Sequence, residues 1–185
     1  MKKILVISGH PDLNDSFANR MILEQLTERL PEAEFVYLDN LYADFQINIE
    51  QEQRRLLEAD IIILQYPIFW FAMPSLLQRW IEQVFQHGFS HGSTGDKLQG
   101  KKLIASITAG NPESAYAYGG ARWYPIEDFL LPLKATCKLC GIYFEEHIFT
   151  GGVSYRSRSE EGKQAEITVK AHDHVERLMN LINKL

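Results

Sequence analysis

The run Asp60-Ile61-Ile62-Ile63-Leu64-Gln65-Tyr66 carries apolar side chains at consecutive positions rather than alternate ones, so as a strand it must be buried on both faces. Similar runs stand at Lys3 to Ser8 (KILVIS), Lys102 to Thr108 (KLIASIT) and Ile142 to Phe149, with a shorter alternating segment at Glu34 to Leu38. Between them lie helical stripes. Ser16 to Leu30 shows one through Phe17, Met21, Ile22, Leu26 and Leu30, and Met73 to Phe85 one through Leu76, Leu77, Trp80, Ile81 and Val84. Glu50 to Ala59, Ile126 to Leu139 and Arg158 to Leu185 complete the set. Strands buried on both faces require helices on both faces, so the alternation predicts an α/β chain with a doubly wound, five-stranded parallel sheet in the order 2-1-3-4-5. A chain of 185 residues with 45% hydrophobic side chains sustains one core, and a single domain over 1–185 is expected.

Charge and composition narrow the function. Nineteen Lys and Arg stand against 24 Asp and Glu, for a net charge of -5, and no basic block is available to neutralise a row of phosphates, which excludes nucleic acid as an expected partner. No apolar run approaches the ~20 residues needed to span a bilayer, and the start Met1-Lys2-Lys3-Ile4 has no cleavage site, so a cytoplasmic protein is expected. Cys137 and Cys140 close an apolar helical pattern just before Gly141, where no helix N-terminus favours a thiolate, and they read as buried structural thiols. The pairs His87/His91 and His172/His174 have no carboxylate or thiol at a zinc spacing, so no metal site is expected. The stretch Gln86 to Gly100, with four glycines, exceeds an ordinary connection and reads as a functional flap or a mobile surface segment.

In a doubly wound, flavodoxin-like sheet the loops after strands one, three and four open on one crevice. The first is Gly9 to Asn19, in which Ser16 is a good N-cap, and the amides after it, with His10 and Asn19, offer an anion site at a helix N-terminus. Taken alone, Ser16 is better explained as a simple helix cap. Neither G-x-G-x-x-G nor G-x-x-x-x-G-K-S/T occurs, which disfavours a Rossmann dinucleotide site and a triphosphatase. The second loop, Pro67-Ile68-Phe69-Trp70-Phe71, puts three aromatic rings where a loop is normally polar, and a planar ligand would cover them. In the third, Gly110 allows close approach to the backbone, while Thr108 and Asn111 can hydrogen-bond a heterocycle edge. A phosphate end, an aromatic shelf and a polar edge together describe a flavin mononucleotide site.

The motifs G-H-P-x4-S-F-A-N (Gly9 to Asn19), Q-Y-P-x-F-W-F (Gln65 to Phe71) and S-I-T-A-G-x3-S-A-Y (Ser106 to Tyr116) resemble those of the flavodoxin-like NAD(P)H:quinone oxidoreductases. Within that family the chain is most similar to the short bacterial ancillary flavoproteins of glutathione-gated potassium efflux (Kef) systems. The resemblance runs from Lys3 to about Gly151. It implies that His10, Ser16, Phe17, Ala18 and Asn19 hold the FMN phosphate, that Pro67, Ile68, Phe69, Trp70 and Phe71 line the isoalloxazine, and that Thr108, Ala109, Gly110 and Asn111 bind its pyrimidine edge. It further implies ping-pong hydride transfer from NAD(P)H to a quinone in a homodimer, FMN rather than FAD because the larger relatives' C-terminal segment is missing, and a potassium efflux transporter as a partner. Two departures stand out. The family's T-T-G-G is Thr108-Ala109-Gly110-Asn111 here, and its tyrosine followed six residues later by histidine is Tyr116 and Arg122, an arginine that cannot release a proton near neutral pH. Tyr116 and Arg122 are the candidate catalytic pair, the arginine as an electrostatic stabiliser, and Tyr116 also borders the flavin. An ancillary flavin-binding subunit with little turnover is the alternative.

Overall fold

The computed structural model describes residues 2–154, 160 and 162–185. Strands β1 (Ile4–Ser8), β2 (Glu34–Tyr37), β3 (Ile61–Pro67), β4 (Lys102–Thr108) and β5 (Tyr143–Thr150) pair in parallel in the order β2-β1-β3-β4-β5. The expected sheet is therefore the observed one. Its continuous apolar runs are explained by two packed faces, since side chains at successive positions point to opposite sides. Leu5, Ile7, Ile62, Leu64, Leu103 and Ala105 belong to one buried cluster, whereas Val6, Ile61, Ile63 and Ile104 belong to the other.

Seven helices cover these faces among the described residues: α1 (Phe17–Arg29), α2 (Leu38–Leu41), α3 (Ile49–Glu58), α4 (Ser75–Val84), α5 (Ile126–Phe129), α6 (Leu131–Leu139) and α7 (Lys163–Ile182). The first cluster includes Leu76, Leu77 and Trp80 of α4 and Leu133 and Cys137 of α6, while the second includes Ile22 and Leu26 of α1 and Val175 and Leu178 of α7. The single helix expected over Ile126 to Leu139 is broken at Leu130, because Pro132 in the first turn of α6 has no N–H and its ring blocks a continuous helix through that point. The expected start of the last helix at Arg158 lies outside the described residues, and α7 begins after Gly162, whose φ is 83°. None of the described helices is long and apolar enough to cross a membrane.

The long segment between α4 and β4 is tied down. Ser90 and Leu98 are fully buried, and bonds from Gly88 N–H to the His91 carbonyl (2.9 Å) and from Lys97 N–H to the Phe89 carbonyl (3.0 Å) fold it into packed turns. Cys137 and Cys140 are free and buried, and burial pushes the Cys137 thiol up to about 12, which removes its nucleophilic form.

Candidate functional site

The C-terminal ends of β1, β3 and β4 bring their loops to one cleft of about 430 Å³. At one end stands the N-terminus of α1. Ser16 caps it by accepting from the Asn19 N–H at 3.2 Å, and Phe17 and Ala18, whose amides are the first two of the helix and have no partner within it, line the cleft. His10 lines the same end. The Asp12 N–H donates to its Nδ1 at 3.1 Å, so the neutral ring carries its proton on Nε2, and burial lowers its pKa against the pull of Asp39 and Asp12. Asp15 also lines this end, so the arrangement attracts an anion through hydrogen bonds and the helix dipole rather than through positive charge.

Pro67, Ile68 and Phe69 form the apolar wall. Phe69 and Ala72 exchange both backbone hydrogen bonds at 2.9 Å, which closes a two-residue turn whose central residues, Trp70 (φ 48°) and Phe71 (φ 66°), are both left-handed. Such a turn favours Asn-Gly, and bulky residues there are strained. Its geometry directs Trp70 outward, 94% exposed and away from the cleft lining, while Phe71 leans on Phe129 with ring centroids 5.2 Å apart. Phe69, 44% exposed, is the one ring of the three in the wall.

Thr108, Ala109 and Gly110 continue the lining beside this wall, Thr108 pairing with Pro67 across β3 and β4 and its carbonyl accepting from the Ile68 N–H at 2.8 Å. Asn111 lies just beyond the lining, where its Oδ1 accepts from Arg122 Nη2 at 3.0 Å and its side chain is hydrogen-bonded to the Tyr116 hydroxyl. Tyr116, Asn111 and Arg122 thus form one hydrogen-bonded cluster that begins at the residue after Gly110. Burial raises the Tyr116 pKa, which keeps the phenol protonated at neutral pH.

A model of the flavodoxin-like fold matches residues 2–174. The chain belongs to the flavodoxin-like family. A curated relative, the glutathione-regulated potassium-efflux system ancillary protein KefG of Serratia proteamaculans, is 39% identical over 145 residues, 77% of each protein. Among solved structures, the general stress protein 14 of Treponema denticola in complex with FMN superposes with a TM-score of 0.85 at 24% identity, covering 98% of this chain and 99% of that one. The NADPH-quinone reductase of P. pentosaceus superposes with a TM-score of 0.76 at 23% identity, covering 95% and 98%. At these identities the two structures establish the shared fold.

Within this flavodoxin-like sheet, reading the loops alone missed the residues behind the cleft. Val153 and Ser154, after β5, join the lining. Gln65 and Ser106, opposite one another in the β3–β4 register, are fully buried and connect Asn19 on one side to His174 of α7 on the other. Their signal in the sequence was a single polar residue near the C-terminal end of each apolar run.

Proposed function

We propose that the chain binds FMN in this cleft and acts as an NAD(P)H:quinone oxidoreductase. One observation carries the reading: helix-N-terminal amides, an apolar wall with an accessible aromatic ring, and a polar loop all border one cleft at the C-terminal edge of a doubly wound sheet, the place where such folds hold ligands. The donor set fits a phosphate monoester, namely the Phe17 and Ala18 amides, Ser16, and His10 through Nε2. Gly110 is consistent with a ring edge close by. Among the described residues a Cβ placed there would meet Ser154 at 3.5 Å and nothing nearer, and Gly110 and Ser154 both line the cleft, so the missing side chain leaves that volume to a ligand.

Bound FMN supplies reversible two-electron hydride chemistry between a nicotinamide and a quinone. The chain's own part is to hold and polarise. Pro67, Ile68 and Phe69 exclude water from one side of the ring system. Arg122 orients Asn111 and adds a permanent positive charge beside the polar loop, where it favours negative charge at the pyrimidine edge. Tyr116, held as a phenol, is a neutral hydrogen-bond partner in the same cluster. Arg122 acts electrostatically and does not relay a proton.

The likeness to KefG supports a second reading, an ancillary subunit that docks on a potassium efflux transporter. The purified protein separates the two. Stoichiometric FMN uptake with NADPH-dependent quinone reduction establishes the enzyme. FMN uptake without turnover, together with co-purification with a membrane transporter, establishes the ancillary role. Failure to take up either FMN or FAD overturns both.

A further inference from the structure

Behind the cleft, buried polar groups form one continuous chain from α7 to the N-terminus of α1. Arg177 Nη2 donates to Thr150 Oγ1 at 2.7 Å, Thr150 Oγ1 lies 2.8 Å from His174 Nδ1, and His174 Nε2 lies 2.6 Å from Ser106 Oγ. Ser106 Oγ is bonded to Gln65 Oε1, Gln65 Nε2 to Asn19 Oδ1 at 2.8 Å, and Asn19 Nδ2 to Ser16 Oγ at 3.0 Å. Thr150, His174, Ser106, Gln65 and Asn19 are all at most 4% exposed.

We propose that Arg177, Thr150 and His174 are positioning residues that act through this chain, fixing its direction so that the Ser16 hydroxyl is a donor into the cleft, aimed at a phosphate oxygen. The proposal rests on the FMN reading for its ligand, but its direction follows from the chain alone. Burial beside Arg177 pushes the His174 pKa down to about 3, so at neutral pH the ring has one N–H and the chain must run one way or the other.

If every donor points toward the cleft, Thr150 O–H serves His174 Nδ1, His174 Nε2–H serves Ser106, Ser106 O–H serves Gln65, and Gln65 and Asn19 pass the pattern on. The spare hydrogen is then that of Ser16, whose oxygen already accepts from the Asn19 backbone and side chain and which lies at the cleft. If the amides and the imidazole are all turned over, the Ser16 hydrogen is consumed by Asn19. The spare hydrogen then falls on Thr150, whose buried oxygen accepts from both Arg177 and His174 and whose O–H has no further partner among the described residues. An unmade buried hydrogen bond is costly, whereas a hydrogen facing an open cleft is met by water or ligand. The guanidinium also favours the first direction, since it draws lone pairs toward itself and sends hydrogens away.

Nitrogen-15 NMR of the His174 ring in the full-length protein without cofactor, at pH 7, tests the direction: the Nε2–H tautomer is expected, and the Nδ1–H tautomer overturns the proposal. Thr150→Val and Arg177→Met, compared with wild type for FMN and for riboflavin, test the consequence. FMN affinity should fall about three- to tenfold while riboflavin, which has no phosphate, is bound as before. Equal weakening of both, or of neither, overturns the positioning role. Should wild type bind neither flavin, the FMN reading fails, while the tautomer still decides the direction of the chain.

Discussion

Gly110 offers the cleanest separation of ligand space from folding. A methyl group at this position meets Ser154 atoms at 3.5–3.7 Å, ordinary contacts, so Gly110→Ala should leave thermal stability unchanged or raise it by up to ~1 kcal/mol. The same methyl group intrudes on the cleft, and FMN affinity measured by fluorescence titration should fall at least tenfold. Arg122 is tested by potential instead. Removing its charge in Arg122→Ala should lower the two-electron midpoint potential of bound FMN by more than ~10 mV, about 0.5 kcal/mol, and a smaller change would leave the guanidinium only its bond to Asn111. At this scale the sequence was legible where residues sit in loops at strand ends, because the fold rule alone points to them. It was illegible at Gln65, Ser106 and His174. A lone polar residue in an apolar run gains meaning only when register and helix docking place it opposite another.

The turn Phe69 to Ala72 stores conformational strain in two consecutive left-handed residues. Replacing Trp70 and Phe71 together by Asn-Gly should relieve roughly 2 kcal/mol of backbone strain, offset by the lost Phe71 contact with Phe129, for a net gain in the urea midpoint. A net loss would mean that Phe71 packing outweighs the strain. The central elements of the sheet were readable because a strand covered on both sides has no polar face to confuse with a helix stripe. The break between α5 and α6 was not read, although Pro132 marks it, because Ile126, Leu130, Leu133 and Cys137 keep a helical spacing across the gap. Spacing records which side is buried, and a proline can interrupt the backbone without disturbing that side.

For the molecule as a whole, His174 couples the core to pH. The unfolded chain takes up a proton at the ordinary histidine pKa of 6.5, whereas the folded chain refuses it down to about 3. Stability is therefore full above pH 6.5 and falls by ~1.4 kcal/mol per pH unit below it until the folded pKa is reached. Urea unfolding between pH 6.5 and 4 should show at least this slope, to which the lowered pKa values of His10 and His147 add, and His174→Gln should make it shallower even if its absolute stability is lower. A row of rings on the rim, Phe71 to Phe129 to Tyr124 to Tyr118, is linked by centroid distances of 5.2, 6.4 and 6.5 Å, and Trp123 beside it is 64% exposed. Such a surface is expected to close against a second copy, and light scattering at micromolar concentration should give twice the 21.3 kDa chain mass. The placement of the three indoles makes the molecule its own optical probe. Trp80 is sealed inside with Nε1 bonded to Glu52 at 2.9 Å, while Trp70 and Trp123 stand in water. In the dissociated monomer iodide should quench two emitters and spare a third, bluer one, and a second copy settling over the aromatic rim on association would shade the red component while the blue stays constant as an internal standard.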